Sequence, residues 1–293
     1  MEMAMEMAME EDPLPLRQQQ EEEEEEEAAL LLGMGAYSGP VRPVGASGSG
    51  ETMLLWALGQ PASQRHNAFV RHAAHSFTLD ACARRLSLLQ SPSSMATPGV
   101  TGAVVWDSAV VLAKFLEHAV DSARLALRGA RAVELGAGCG LAGCVAALLG
   151  AHVLLTDLPD RLKLLRKNVH LNVGEDARGS ARVIDLIWGH DPHPDLLDPP
   201  LHFVLGSDVI YSEEAVDDLL ITLKQLSGPH TTIILAGELR NDVVLECFLD
   251  AAMEDFQVGC IEQEQWHPDF RTRRVALFIL VKKRPLALQP DHL

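Results

Sequence analysis

From residue 131 onward the chain alternates between two periodicities. Apolar runs of strand length occur at Arg131–Leu135, Ala151–Thr156, Ala181–Ile187, Leu201–Gly206 and Thr231–Gly237. Between them, apolar residues recur at helical spacing over Leu141–Leu149, Pro159–Asn172, Glu213–Leu226 and Asp242–Asp255. In the stretch from Glu213, residues Ala215, Val216, Leu219, Leu220 and Leu223 mark one face. Ser212 is its candidate N-cap, and Glu213 and Glu214 complement the positive end of the helix dipole. Pro159 suits a first helical turn. Strands alternating with helices predict a parallel, doubly wound α/β sheet. The rhythm breaks at the end of the chain. Phe256–Glu264 and Arg273–Val281 read as strands with no helix between them, so the sheet is expected to close on an antiparallel hairpin.

Upstream, the runs Phe77–Ala81 and Leu86–Leu89 predict a β-hairpin, followed by a loop over Ser91–Gly99. Val104-Val105-Trp106-Asp107 then leads into a helix over Ser108–Val120, with Val111, Leu112, Phe115 and Leu116 on one side. Residues 33–50 are rich in Gly, Ser and Pro and read as a linker. Residues 1–27 repeat Met-Glu-Met-Ala and end in a run of glutamates. Such a segment repels itself and has little to bury, so it reads as a disordered acidic tail. The expected organisation is tail and linker over 1–50, an N-terminal extension with the hairpin over 51–98, an α/β domain over 99–285 and a short tail over 286–293.

Composition sharpens this picture in two places. The formal charge of −17 is concentrated at the start, because residues 1–27 hold twelve acids and one arginine. The remainder has scattered lysines and arginines and no basic stripe, so no nucleic-acid partner is expected. The five cysteines (Cys82, Cys139, Cys144, Cys247 and Cys260) form no CxxC pair, which suits free thiols in a reducing compartment. The acidic start lacks the apolar core of a secretory signal, and the most apolar stretch, Leu135–Leu155, is broken by glycines. A monomer in the cytosol, and in the nucleus as well, with no membrane contact, is the expectation.

The segment Glu134-Leu135-Gly136-Ala137-Gly138-Cys139-Gly140 carries the most chemistry. A strand ends in a carboxylate, glycines follow at every second position, and a helix begins at Leu141. Glycines let the backbone turn sharply and let a ligand sit against bare main chain at a helix start. Asp157 closes the next strand, where it can bind the hydroxyls of a ribose. Together these point to a nucleoside cofactor. Gly138-Cys139-Gly140-Leu141-Ala142-Gly143 satisfies the dinucleotide fingerprint G-x-G-x-x-G. The E-x-G-x-G-x-G register over Glu134–Gly140 is instead the pattern of S-adenosylmethionine (AdoMet) enzymes.

Further motifs widen the likeness. They are Gly102-Ala103-Val104-Val105-Trp106-Asp107, Thr156-Asp157-Leu158-Pro159 with Asn168, Trp188-Gly189, Gly206-Ser207-Asp208-Val209-Ile210-Tyr211 and Glu238-Leu239-Arg240. Over about residues 75–285 the chain resembles the seven-β-strand protein lysine methyltransferases, methyltransferase family sixteen, whose mark is Asp-x-x-Tyr after the fourth strand. The resemblance implies a Rossmann-like sheet of seven strands and AdoMet as cofactor. It implies that Glu134, Gly136, Ala137, Gly138 and Gly140 form the cofactor turn, and that Asp157, with Leu158 beside it, takes the ribose hydroxyls. Trp188 would pack on the adenine, Trp106 would border the pocket and Ser207 would supply backbone next to the cofactor. Asp208 and Tyr211 would face the methyl-transfer position. Cys139 and Ser207 depart from the residues common there, and the His190–Pro200 loop is unusual, but none removes a needed group. Protein substrates such as a chaperone, an AAA-type ATPase or a translation factor are implied.

Bottom-up chemistry agrees with these roles. The nucleophile must be aligned and must shed its proton. A carboxylate at position 208 opposes that loss, so Asp208 is expected to orient the amine rather than act as a base, with Tyr211 shaping the amine pocket. Competing readings stay open at this level. Trp106 and Trp188 can be core aromatics, Asp208 can cap the following helix, and Glu238 with Arg240 can be a structural ion pair. Asn168 can be a surface residue or a hydrogen bonder. His190 and His193 lack a third ligand at metal spacing. A methyltransferase acting on histidine, arginine or a small molecule, an NAD(P)-linked oxidoreductase and a non-catalytic interaction protein are the alternatives.

Overall fold

A computed structural model describes residues 33–45, 67–97 and 100–283. The acidic tail and the residues from 286 lie outside the described residues. Eight strands form the main sheet: β1 (Arg42–Pro43), β4 (Arg131–Leu135), β5 (His152–Asp157), β6 (Ser180–Asp185), β7 (Phe203–Ser207), β8 (Thr232–Glu238), β9 (Phe256–Cys260) and β10 (Val275–Lys282). Their order is β1-β9-β10-β8-β7-β4-β5-β6. The five strands from β8 to β6 are parallel. β10 inserts antiparallel between β8 and β9, the reversed end expected from the missing helix.

Among the described residues six α-helices flank the sheet: α1 (Asp107–Asp121), α2 (Leu141–Leu148), α3 (Leu162–Asn172), α4 (Pro194–Leu197), α5 (Glu213–Leu226) and α6 (Asp242–Asp255). Side chains alternate across each strand, so the sheet supplies two apolar faces. Ala132, Val153, Leu155 and Leu205 meet α1, α2 and α3 on one face. Val133, Leu135, Leu154 and Val204 meet α5 and α6 on the other. Every residue of α2 is buried, which is why its sequence shows no polar face. Helix α5 spans the predicted residues, but the Ser212 side chain makes no capping bond.

Three sequence expectations need correction, the first being the helix expected from Pro159, which begins only at Leu162. The stretch 33–50 is not simply a linker. Within it, Arg42 and Pro43 pair with Cys260 and Gly259, adding an eighth strand to the expected seven. Tyr37 and Val41 are fully buried. Apolar side chains on a Gly-rich strap dock because the sheet edge gives them a surface, which composition does not reveal. The predicted strand Ala181–Ile187 also ends early, at Asp185. Leu186, Ile187 and Trp188 leave the sheet and line a cavity.

The hairpin is β2 (Ser76–Ala81) with β3 (Arg84–Leu89), paired antiparallel. Its two turn residues, Cys82 and Ala83, have φ of +54° and +57°, the left-handed pair that matches strand twist. Partly buried Glu117 in α1 accepts from the Cys82 N–H and pairs with buried Lys114.

Helix α3 holds the free edge of β3, and Asn168 proves to be a fold-specific hydrogen bonder. Its amide accepts from Leu89 N at 2.8 Å and donates to Leu89 O and Cys139 O, each at 3.0 Å. One turn later Asn172 does the same for Ser87, accepting from its N–H and donating to its carbonyl. The two amides act as a strand edge grafted on a helix. Because Asn168 is fully buried, Asn168→Ala would strand backbone groups without partners. The expected cost is about 2–3 kcal/mol, read as a lower urea midpoint; a change within about 0.5 kcal/mol, typical of surface sites, would contradict this role.

Candidate functional site

The cavity lies outside the carboxyl ends of β4, β5 and β7, where open α/β sheets place ligands. Its volume is about 340 Å³, within the range of small-molecule sites. Four loops build it, one after each of β4, β5, β6 and β7, with the segment before α1 and Arg240 closing the rim.

The turn after β4 is forced by glycine. Gly136 and Gly138 have φ of +55° and +53°. A Cβ at Gly136 would lie 3.2 Å from the Trp188 ring, and one at Gly138 would lie 3.0 Å from Gly102 O. Bare main chain here therefore seats Trp188 and admits the Gly102 backbone. Asp157 ties the turn from the β5 side, accepting from Gly138 N at 2.7 Å and Leu158 N at 2.8 Å. Burial raises its carboxyl above the usual range, and those two N–H groups oppose the rise. Each oxygen retains capacity to accept a further hydrogen bond.

Of the residues singled out in the sequence, Trp106, Gly136, Ala137, Gly138, Gly140, Asp157, Leu158, Trp188, Ser207, Asp208 and Tyr211 all line this cavity. Glu134 does not. It is 1% exposed, behind the turn, and accepts from Gly143 N at 2.9 Å. Burial pushes its carboxyl up to about 8. The correction explains Gly143 as well. A Cβ there would lie 2.5 Å from Glu134 Oε2 and 2.6 Å from Leu155. The third glycine of the dinucleotide-like motif thus serves the close approach of α2 to the sheet. Cys139 is an inert core thiol, pushed up to about 12 by burial. His193, outside the cavity, caps α4 by accepting from Asp195 N.

Asp208 occupies a constrained position. Its φ is +56°, and its N–H bonds Ala236 O at 2.8 Å. Oδ1 accepts from Glu238 N at 2.9 Å and pairs with Arg240 at 3.0 Å. Oδ2 is buried with no hydrogen-bond partner. The carboxylate therefore braces the loop after β8 and does not cap α5. Tyr211 is about half exposed, 6.5 Å from Trp188 between ring centres. Burial raises its hydroxyl, and Asp157 adds to this. The side chain that sequence reasoning underrated is Arg240. Its guanidinium lies 4.3 Å from the Trp106 ring centre, as well as on Asp208 and near Glu238. Only the Glu238–Arg240 ion pair was legible, because Trp106 is far away in the chain.

Comparison with known proteins agrees with this geometry. Protein N-lysine methyltransferase METTL21A of Danio rerio is 43% identical over 140 residues, 47% of this chain and 61% of the relative. EEF1A lysine methyltransferase 3 of Mus musculus is 41% identical over 167 residues, 57% of this chain and 67% of the relative. The chain thus spans about three fifths to two thirds of these curated relatives. The family profile described as lysine methyltransferase matches residues 89–254, from the end of the hairpin through nearly all of α6. That stretch contains every residue that lines the cavity, and by it the chain belongs to the lysine methyltransferase family.

Proposed function

We propose that this protein is an AdoMet-dependent N-methyltransferase acting on a lysine ε-amine of a folded protein. The observation that carries the reading is Asp208. A carboxylate braced among the residues that line a glycine-walled cavity keeps one oxygen, itself buried, without a hydrogen-bond partner. An amine donor would satisfy it.

The cavity fits the cofactor by its own chemistry. Asp157 offers acceptors for a ribose diol, Trp188 an aromatic face, and Gly136–Gly140 uncovered main chain. Trp106, Leu158 and Ser207 would border it. When bound, AdoMet supplies a methyl on a sulfonium, so the protein needs neither metal nor covalent intermediate. The residues then have three tasks. Asp208, among the residues lining the cavity, orients the amine. Trp188 and Tyr211, their rings tilted toward each other, narrow the approach to a slender side chain and exclude water. The surrounding loops favour the neutral amine by partial desolvation. A free lysine with pKa about 10.4 is neutral only about one part in a thousand near pH 7.4, which leaves about 4 kcal/mol to recover.

One relative is named for EEF1A, so a translation elongation factor is the first substrate to test. A chaperone and an AAA-type ATPase follow. A cytosolic and nuclear setting as a monomer fits such substrates. Methyl-labelled AdoMet is incubated with the full chain and each purified candidate, and the labelled residue is located by mass spectrometry. Label on lysine supports the reading. Label on histidine or arginine would move the activity to another nucleophile. Thermal unfolding with AdoMet and with NAD covers the remaining alternatives. A ligand at a hundred times its dissociation constant adds about 2.7 kcal/mol to the folded state. Stabilisation by NAD alone would overturn the proposal.

A further inference from the structure

We propose that Arg240 is a positioning residue that cancels the charge of Asp208 at the methyl-transfer face, so that an incoming lysine loses its proton there more readily. This rests on the lysine reading above.

The difficulty it resolves is chemical. A carboxylate that orients an amine also holds the amine protonated, because an opposite charge within about 4–6 Å shifts the equilibrium by 1–3 pKa units. Asp208 could both orient and release only if its charge were offset from another side. The charged groups around it show one cation placed for this. Asp107, on α1, is fully buried and accepts from the N–H groups of Ala68, Phe69 and Val70. Glu238, on β8, accepts from Asp107 N and pairs with Arg274 at 3.3 Å. Burial, reinforced by Asp208, pushes Glu238 up to about 7. His72, on the segment before β2, touches the Trp106 ring edge-on, and burial lowers it toward its neutral form. Asp157, Tyr211, Asp218, the Cys139 thiol and a second cation, Arg161, which acts on Asp157, also line the cavity. Arg240 is the cation that reaches Asp208 Oδ1, at 3.0 Å.

Three contacts hold it there. The guanidinium stacks on Trp106, bonds Asp208 and lies 3.7 Å from Glu238. Arginine suits this place because its planar fork can stack and bond at once and keeps its charge at any working pH. Oδ1 of Asp208 is paired internally with Glu238 N and Arg240, and Oδ2 is buried without a hydrogen-bond partner, so the guanidinium is the cation in contact with this carboxylate.

The test is the pH dependence of kcat on a lysine substrate for wild type, Arg240→Gln and Arg240→Lys. Losing the cation leaves the Asp208 carboxylate unbalanced, which favours the protonated amine. The acid limb of kcat should therefore move up by about one pH unit in R240Q, a tenfold loss near neutrality that closes at high pH. KM should not rise. R240K, which restores charge without the fork, should return the limb toward wild type. AdoMet-induced thermal stabilisation, measured on each variant, reports an intact cavity. Label on lysine with an unmoved acid limb in R240Q, or a loss equal at every pH, overturns this inference alone. Label on another residue, or on none, overturns the lysine reading and this inference with it.

Discussion

Asp208→Asn should lower turnover about a hundredfold while leaving AdoMet binding in place. Asparagine is the informative replacement because it is nearly isosteric with aspartate and position 208 sits in the left-handed region, at φ +56°, which asparagine adopts at less cost than alanine. The amide can still accept from Glu238 N, so the loop after β8 keeps its brace. What would disappear is the anionic acceptor proposed to fix the amine in line with the methyl donor. A misplacement of about 1 Å is enough for about a hundredfold, equivalent to about 2.7 kcal/mol of barrier. Single-turnover methylation gives the rate, and a thermal melt with AdoMet checks the cavity. Full activity in D208N would remove Asp208 from the transfer step.

A second large effect is expected far from the cavity. Tyr37→Ala should destabilise the fold by about 3–5 kcal/mol, the usual range for truncating a buried aromatic. Tyr37 is 1% exposed, and its ring lies 5.6 Å from that of Phe115 in α1. It is the anchor of a strap tied at several points. Ala36 N bonds Thr232 Oγ1, Ser38 N bonds Arg124 O, and Val41 fills the space left by Gly259. Truncating the anchor opens a void that the strap cannot refill. Urea unfolding measures the loss, and methylation per folded molecule should not change. A loss below about 1 kcal/mol would mean that the strap is a passenger.

The alternation of strand and helix was legible from residue 131 because a sheet buried on both faces and amphipathic helices leave separate periodicities. Glycine and acid at the turn after β4 were legible for the same local reason. Arg42 and Pro43 were not. A strap that lies flat on a finished surface needs small residues at close approaches, Gly39 under the Tyr37 ring among them, and this mimics linker composition. Glu134 was misassigned because a carboxylate beside a glycine turn has the same spelling whether it faces a ligand or a helix start. Asn168 and Asn172 share a helix face in any reading of the sequence, but their partner is a strand some 80 residues upstream. Arg240 depends on tertiary placement more than any other site residue.

The strap also has a practical consequence. Paired with β9, it covers a backbone edge that would otherwise offer unpaired N–H and C=O groups along a mostly apolar strand, Phe-Gln-Val-Gly-Cys. Open edges of this kind recruit other chains. A protein trimmed to begin at residue 51, as the composition alone would invite, has lost that cover. Any self-association seen in such a preparation would report the missing strand and not the habit of the enzyme.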